Sequence, residues 1–202
     1  FYDNLIELAE EYEFLIVNDF AYSDVYFEKN KPPSLLASDK NLEYSVELYS
    51  LTKGYSMAGW RVGFAVGNSD AVGALTKLKS YIDYGTFQPI QIASTVALNE
   101  LDDYPFELST VYKERRDLVQ EYLEDLEFIV QESDATMFVW AKLPKRFNKD
   151  SLKFSLDILE KSNVAISPGI GFGKFGEGHI RIALVENKQR IRQAMKNIKA
   201  AL

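Results

Sequence analysis

The sequence contains no cysteine and only one histidine, His179, among its 202 residues. The missing thiols exclude disulfide bonds and thiolate metal sites, and a single histidine cannot build a histidine-rich metal centre. No apolar run approaches the roughly 20 residues that cross a bilayer, and the first residues do not resemble a signal peptide. The sequence therefore predicts a cytoplasmic protein with no metal centre and no membrane association.

The charge balance is acidic, which disfavours two classes of partner. Asp and Glu number 30 against 23 Lys and Arg, giving a formal net charge of -7 that is spread along the chain. Such a surface repels nucleic acids and anionic membranes. With 47% hydrophobic residues the chain can bury a core, so a small molecule is the expected ligand.

The hydrophobic pattern alternates between helical and strand periods, which predicts the α/β class. A helical pattern over 1–13 leads into an apolar run at 14–17, and a loop rich in Lys, Asn and Pro follows at 28–33. Further strand candidates lie at 46–49 and 62–66. Short apolar strands between helices favour a mostly parallel, helix-covered sheet. Because a helix feeds the first strand, we expect this sheet to need strands that the sequence does not contain.

A change in composition at 102–105 predicts a domain boundary, with residues 1–104 in one domain and residues 105–202 in a smaller α/β domain. The first part also contains helical patterns from about 70 to 82 and from Pro89 towards Leu101. The second part opens with a long, charged helical pattern. Its remaining predicted elements are strands at about 137–143, 164–167 and 179–184 and helices over 151–161 and from Asn187.

Polar side chains follow two of the predicted strands. Asp19 and Tyr22 come directly after the first strand, and Lys53 lies shortly after the strand at 46–49. The carboxyl ends of strands in α/β sheets are where ligands bind. Taken alone, a lysine is most often a surface charge, and an Asp near a Tyr is most often a turn. Together they provide an amine for an imine and a carboxylate for a protonated pyridine nitrogen.

Four segments together resemble the C-terminal half of the class I/II aminotransferases, which are pyridoxal-phosphate enzymes of fold type I. The resemblance is strongest to bacterial alanine (glutamate-pyruvate) transaminases, which are often named aspartate aminotransferases. The matching segments are NDFAY at 18–22, SLTKGYSMAGWRVGF at 50–64, KSYIDYGTF at 79–87 and SPGIGFG with HIRIAL within 167–184. The resemblance implies that 1–104 is part of the large cofactor-binding domain and 105–202 the small C-terminal domain.

The resemblance also implies roles for six residues around pyridoxal 5'-phosphate and its substrates. Lys53 would hold the cofactor as a Schiff base and then move the α-proton of the substrate. Arg181 would bind the substrate α-carboxylate. The other cofactor ligands would be Asp19 at the pyridinium nitrogen, Tyr22 at the phenolic oxygen, and Ser50 and Arg61 at the phosphate.

The implied activity is transamination between an amino acid, alanine or an aspartate-like one, and a 2-oxo acid, in a homodimer. Tyr81, Asp83, Tyr84 and Thr86 either cross the dimer interface or pack within their own subunit. The family's phosphate loop and the aromatic that stacks on the cofactor ring are absent from the sequence. We therefore expect this polypeptide alone to bind the cofactor poorly and to be inactive.

Several other interpretations are open. A C–S lyase or a diaminopimelate aminotransferase would use the same cofactor residues, and 105–202 could serve as a non-enzymatic interaction domain. Ser50 to Lys53 also fits the S-x-x-K of penicillin-recognising enzymes, but no S-D-N or K-T-G element accompanies it. The glycines at 171–176 fit the dinucleotide fingerprint, but a strand pattern follows them instead of a helix, which indicates a loop.

Overall fold

The computed structural model describes residues 1–27, 31–147 and 149–202, so positions 28–30 of the loop predicted at 28–33 lie outside them. The described residues form two compact units, Phe1–Ser109 and Thr110–Leu202. The division falls inside a helix that spans Tyr104–Asp125, whereas the sequence-based boundary at 104/105 lies at the start of that helix. The assignment of 1–104 to a cofactor-binding domain stays a prediction.

The first unit contains a three-stranded sheet in the described residues, with the order β1-β2-β3. Its elements are α1 (Tyr2–Tyr12), β1 (Ile16–Asp19), β2 (Ser45–Ser50), α2 (Leu51–Gly54), β3 (Gly63–Gly67), α3 (Ser69–Ile82), α4 (Gln88–Glu100) and the start of α5 (Tyr104–Asp125). Strand β1 is parallel to β2, whereas β3 is antiparallel to β2. The α/β class is confirmed, and within this chain the sheet is mixed.

Strand β1 begins later than the apolar run at 14–17 predicts. Glu13 caps α1 in the left-handed conformation, with φ of 53°. The N–H of Phe14 donates to the carbonyl of Ala9 at 3.2 Å, so this residue completes the helix end. Pairing with the next strand starts where the N–H of Ile16 donates to the carbonyl of Tyr44 at 2.8 Å. The helix cap therefore takes two apolar residues out of the strand.

A buried carboxylate aligns β1 with β2. Glu47 of β2 accepts hydrogen bonds from the amide of its Cα partner Asn18 at 3.0 Å, from the Ser34 hydroxyl at 2.9 Å and from the Leu35 N–H at 2.9 Å. These donors satisfy a charge that is only 9% exposed. The alignment brings the carboxyl ends of both strands, where Asp19 and Ser50 lie, to the same edge of the sheet.

The helix positions agree closely with the sequence pattern, and local caps set their ends. Asn68 accepts a hydrogen bond from the N–H of Ala71 at 2.9 Å and so starts α3, which is predicted from about 70. Pro89 lies in the first turn of α4, where it leaves no helical acceptor unpaired. In the described part of the chain, no helix is both long and apolar enough to cross a membrane.

The second unit contains a four-stranded sheet in the described residues, with the order β4-β5-β7-β6 and antiparallel pairing throughout. Its elements after α5 are β4 (Ile129–Val130), β5 (Phe138–Lys142), α6 (Ser151–Ser162), β6 (Ser167–Pro168), β7 (His179–Ala183) and α7 (Lys188–Ala201). Buried Val139 and Ile180 of the sheet and Ile158 and Met195 of the helices belong to its core. The strand predicted at 164–167 is shorter and begins only at Ser167.

Candidate active site

Lys53 lies on α2, a single helical turn that directly follows β2. Ser50 ends the strand and caps the helix, because its hydroxyl oxygen accepts the N–H of Thr52 at 3.3 Å. Leu51 is fully buried and packs in a cluster with Met57 and Ala97. The cap and this apolar anchor hold the turn at the carboxyl end of β2, and the side chain of Lys53 is half-buried there.

The structure brings Lys53 and Tyr22 together. The Nζ atom of Lys53 lies over the Tyr22 ring, 5.2 Å from its centroid, within the range of a cation–π contact. Tyr22 lies in the turn after β1, and Asp19 is the exposed last residue of that strand. The Asp19 carboxylate has no hydrogen bond or ion pair with the residues that the structure describes, so it can accept a ligand.

Ser50 ends β2, and Arg61 lies just before the neighbouring strand β3. Gly63, two positions after Arg61, is the Cα partner of Ser50 across the β2–β3 pair. Arg61 is exposed and adopts the left-handed conformation, with φ of 53°, while its Nη1 donates to the carbonyl of Ala58 at 3.2 Å. Its guanidinium has no ion pair with a described carboxylate. It lines a cavity of about 480 Å³ with Lys79 and Thr86, so two cationic side chains face the same space.

Arg181, in the second unit, is held between two aromatic rings. Its guanidinium carbon lies 4.1 Å from the ring centroid of Phe138 and 4.2 Å from that of Phe172. Its Nε is buried and has no hydrogen-bond partner among the described residues. A buried donor without a partner costs free energy.

Sequence reasoning missed Phe138 and Phe172 as part of this arrangement. The alternation of Phe138 and Trp140 is visible in the sequence, and both residues belong to the same face of β5. However, the strand register places Trp140 opposite Arg181, and that register cannot be deduced from the alternation alone. Phe172 comes from a loop and makes a T-shaped contact with Trp140, with centroids 5.6 Å apart.

The loop that contains Phe172 is the glycine-rich segment of the sequence. Two 3-10 turns, Gly169–Phe172 and Lys174–Gly176, lead into strand β7 and not into a helix. The turns approach so closely that a Cβ on Gly169 would lie 1.9 Å from the carbonyl oxygen of Gly176. The glycines therefore allow two backbones to meet, and the interpretation of the segment as a loop is confirmed.

Comparison with known proteins identifies the family. The model of the aminotransferase class I and II family matches residues 1–198. AatC of Rhizobium meliloti (strain 1021) is 47% identical over 203 residues, which cover 100% of this chain and 50% of the relative. Glutamate-pyruvate aminotransferase AlaC of Escherichia coli (strain K12) is 42% identical, covering 99% and 49% of the two chains. The LL-diaminopimelate aminotransferase of Natranaerobius thermophilus is 44% identical, covering 98% and 51%.

Solved structures agree with this match. Substrate-bound BacF from Bacillus subtilis superimposes with a TM-score of 0.90 at 33% identity, covering 98% of this chain and 50% of BacF. An aminotransferase from Staphylococcus aureus gives a TM-score of 0.87 at 34% identity, covering 100% and 54%. The chain belongs to the class I and II aminotransferase family, whose members depend on pyridoxal phosphate. It spans about half the length of the curated relatives it matches.

Proposed function

We propose that the protein containing this chain is an aminotransferase that moves an amino group between an amino acid, alanine or an aspartate-like one, and a 2-oxo acid. The observation that carries the proposal is the contact between Lys53 and Tyr22, at 5.2 Å from Nζ to the ring centroid. The segments that resemble the family, 18–22 and 50–64, assign both residues to the same cofactor. Family membership supports the reaction class, and the proposal concerns the whole protein.

The donor set in the first unit fits pyridoxal phosphate. The cofactor supplies a protonated pyridine ring that accepts electrons from the substrate α-carbon. The Asp19 carboxylate would keep the ring nitrogen protonated, and the Tyr22 hydroxyl would bond the ring oxygen. Ser50 and Arg61 would hold the phosphate, Ser50 with its hydroxyl proton and Arg61 with charge-assisted hydrogen bonds. The exposed carboxylate of Asp19 and the guanidinium of Arg61 have no charged partner among the described residues, which supports both roles.

Lys53 would have two roles in sequence. Its amine would first hold the cofactor covalently and, once the substrate amine displaces it, would take the proton from the substrate α-carbon and return one to the cofactor. Lys53 must stay close to the substrate after the substrate amine has displaced it from the cofactor. The cap at Ser50 and the buried Leu51 fix the backbone beside Lys53, so only its side chain has to move.

Arg181 would bind the α-carboxylate of the substrate. A guanidinium matches a carboxylate with two parallel hydrogen bonds. The rings of Phe138 and Phe172 contact the guanidinium and hold it in position. The unpartnered Nε supports this role because a carboxylate would satisfy it.

A second candidate reaction is transamination of diaminopimelate. It is favoured by the relative of that name, which is 44% identical to this chain. Asp19, Tyr22, Lys53 and Arg61 would serve both reactions in the same way. The two reactions can be distinguished by letting alanine and LL-diaminopimelate compete for the same enzyme preparation and measuring which of them is transaminated.

We also propose that the protein forms a homodimer in the cytoplasm. Tyr81 and Tyr84 are 76% and 91% exposed in the chain, and large exposed aromatic side chains are typical of interfaces. Light scattering on the full-length protein would test the assembly. A monomer that is active at all concentrations would contradict it.

The test of the function is borohydride trapping on the full-length protein with pyridoxal phosphate, followed by peptide mapping. We expect the reduced adduct on Lys53 and its loss in Lys53→Ala. Lys77→Ala is the control, because Lys77 is an exposed helical lysine of the same unit. An adduct on another lysine, or none at all, would remove the basis of the proposal.

A further inference from the structure

We propose that Asp24 and Tyr49 are positioning residues that hold the lysine-bearing turn α2 against the turn of Tyr22. This inference rests on the proposed function of Lys53. Neither residue belongs to the predicted cofactor ligands. They form a hydrogen-bonded pair beneath the residue that follows Lys53.

The pair joins the two segments that carry the predicted cofactor residues. The Tyr49 hydroxyl donates a hydrogen bond to Oδ2 of Asp24. Tyr49 immediately precedes Ser50 at the end of β2, and Asp24 lies two positions after Tyr22. Burial, together with the hydrogen bond and the negative charge of Asp24, raises the pKa of Tyr49 far above its usual range. The phenol therefore remains a donor throughout the pH range in which proteins are stable.

Each partner is fixed by further contacts. The Tyr49 ring stacks on Phe64 of β3, with centroids 4.8 Å apart and planes 24° from parallel. The backbone carbonyl of Asp24 accepts a hydrogen bond from the Ser109 hydroxyl at 2.9 Å, and its carboxylate lies 3.5 Å from the ammonium of Lys31. The neighbouring Val25 is buried. The pair is thus a rigid support.

Gly54 transmits the position of this support to Lys53. A Cβ added to Gly54 would lie 3.0 Å from Cβ and 3.1 Å from Oδ2 of Asp24, and 3.4 Å from the Tyr49 hydroxyl oxygen. The backbone of α2 therefore rests directly on the pair, one residue from Lys53. If Asp24 and Tyr49 separate, α2 loses the contact at Gly54 that fixes its position relative to the sheet. The distance between Lys53 and the Tyr22 ring changes with it.

A support of this kind acts on the chemical step more than on substrate binding, because Arg181 is in the other unit. Misplacing a catalytic group by about 1 Å can cost on the order of a hundredfold in rate. A residue that only stabilises the fold would lower the melting temperature and leave the geometry of the folded population unchanged. The spectrum of the bound cofactor and the separation of kcat from KM distinguish the two cases.

The test uses Tyr49→Phe, Asp24→Ala and Asp24→Asn in the full-length protein with pyridoxal phosphate. Tyr49→Phe keeps the ring on Phe64 and removes only the donor. We expect a shifted absorbance maximum of the bound cofactor and a kcat lowered by about ten- to a hundredfold, with KM nearly unchanged. Asp24→Ala should behave alike, whereas Asp24→Asn retains an acceptor oxygen and should restore most of kcat.

Tyr55→Phe is the matched control, since the Tyr55 hydroxyl makes no hydrogen bond with the described residues while its ring stacks on Tyr104. The inference is overturned if Tyr49→Phe lowers the melting temperature but keeps the spectrum and kcat of the unaltered protein. It is also overturned if Asp24→Asn is as impaired as Asp24→Ala. Failure of the proposed function looks different, because the unaltered protein would then give no adduct on Lys53.

Discussion

The ammonium of Lys53 lies over the face of the Tyr22 ring, although the two residues follow different strands. Parallel pairing of β1 with β2 is what allows this contact, because it brings both carboxyl ends to one edge. The negative face of the ring attracts the cation and keeps the side chain over the turn. The lysine proposed to hold the cofactor is thus kept in place by the protein itself.

The first prediction separates the ring of Tyr22 from its hydroxyl. Tyr22→Phe keeps the contact with Lys53, so the borohydride adduct should still form on that residue. Loss of a hydrogen bond to the cofactor oxygen should shift the absorbance maximum and lower kcat by about tenfold or more, since such bonds to charged groups contribute about 1.5–3 kcal/mol. Tyr22→Leu removes the ring as well and should bind pyridoxal phosphate more weakly, as measured by fluorescence titration. Equal binding by both variants would contradict a role for the ring.

The second prediction concerns the rings around Arg181. Phe172→Leu removes one face of the sandwich, and a partly desolvated cation–π contact contributes about 1–2 kcal/mol. We expect KM for the amino acid to rise about five- to thirtyfold, with kcat little changed, in steady-state assays of the full-length enzyme. Phe175→Leu on the same loop is the control, because that ring is 89% exposed. Equal effects of the two substitutions would count against the sandwich.

The third prediction concerns the buried carboxylate of Glu47. Glu47→Gln keeps an acceptor oxygen but replaces a charged acceptor by a neutral amide, so the charge-assisted hydrogen bonds from the three donors are weakened. This weakening costs about 1–3 kcal/mol, which should appear as a lower urea midpoint. Glu43→Gln, an exposed acid just before β2, should change the midpoint little. A midpoint unchanged by Glu47→Gln would show that the network contributes nothing to stability.

The fourth prediction is a pH dependence at Asp39. Burial alone would raise the pKa of this carboxyl. Hydrogen bonds from the Ser45 hydroxyl and from the N–H groups of Tyr44 and Glu43 together lower the pKa by more than burial raises it, so the net shift is downward. A lowered pKa in the folded state stabilises the fold above the unfolded-state pKa of about 3.9, and this stability is lost as the pH falls through the folded-state value. The melting temperature should therefore be lower for Asp39→Asn than for the unaltered protein at pH 7. The gap should shrink below about pH 4, and a gap that is constant with pH would refute the assignment.

The fifth prediction compares two glycines in helices. Gly54→Ala places a methyl group against Asp24 and the Tyr49 hydroxyl, whereas a Cβ on Gly73 of α3 meets no atom within 4 Å. Gly73→Ala should leave activity unchanged and stabilise the helix by up to about 1 kcal/mol. Gly54→Ala should shift the absorbance maximum of the bound cofactor and lower kcat. Identical spectra for the two variants would argue against close contact at Gly54.

The sequence predicts the helices well because their caps and periodicity are local. Predicting the strands from it is less accurate. The apolar pair Phe14 and Leu15 reads as strand, but a helix cap uses the first of them. The direction of β3 had no usable signal, since the residues between Ser50 and Gly63, which include α2, are numerous enough for either an antiparallel or a parallel connection.

The candidate site was predictable only where residues occur in a dense motif. Lys53, Ser50 and Arg61 lie in one continuous segment, so the resemblance identifies them together. The pair of Asp24 and Tyr49 is separated by 25 positions, and nothing local indicates that the side chains meet. Phe172 reaches Arg181 from a loop whose path depends on the close approach of Gly169 and Gly176. Such contacts follow from the tertiary fold and have no period in the sequence.

The pairing of Asn18 with Glu47 also has a consequence for how the chain folds. A slip of one position between β1 and β2 would turn every side chain of the displaced strand to the opposite face. If β1 is the displaced strand, Glu47 loses the Asn18 amide and keeps only the Ser34 and Leu35 donors, and a hydrogen bond to a charged group contributes about 1.5–3 kcal/mol. The native register is therefore favoured over the slipped one by the bond between Asn18 and Glu47. The Glu47 carboxylate thus helps to select the strand register that places Asp19 and Ser50 at the same edge of the sheet.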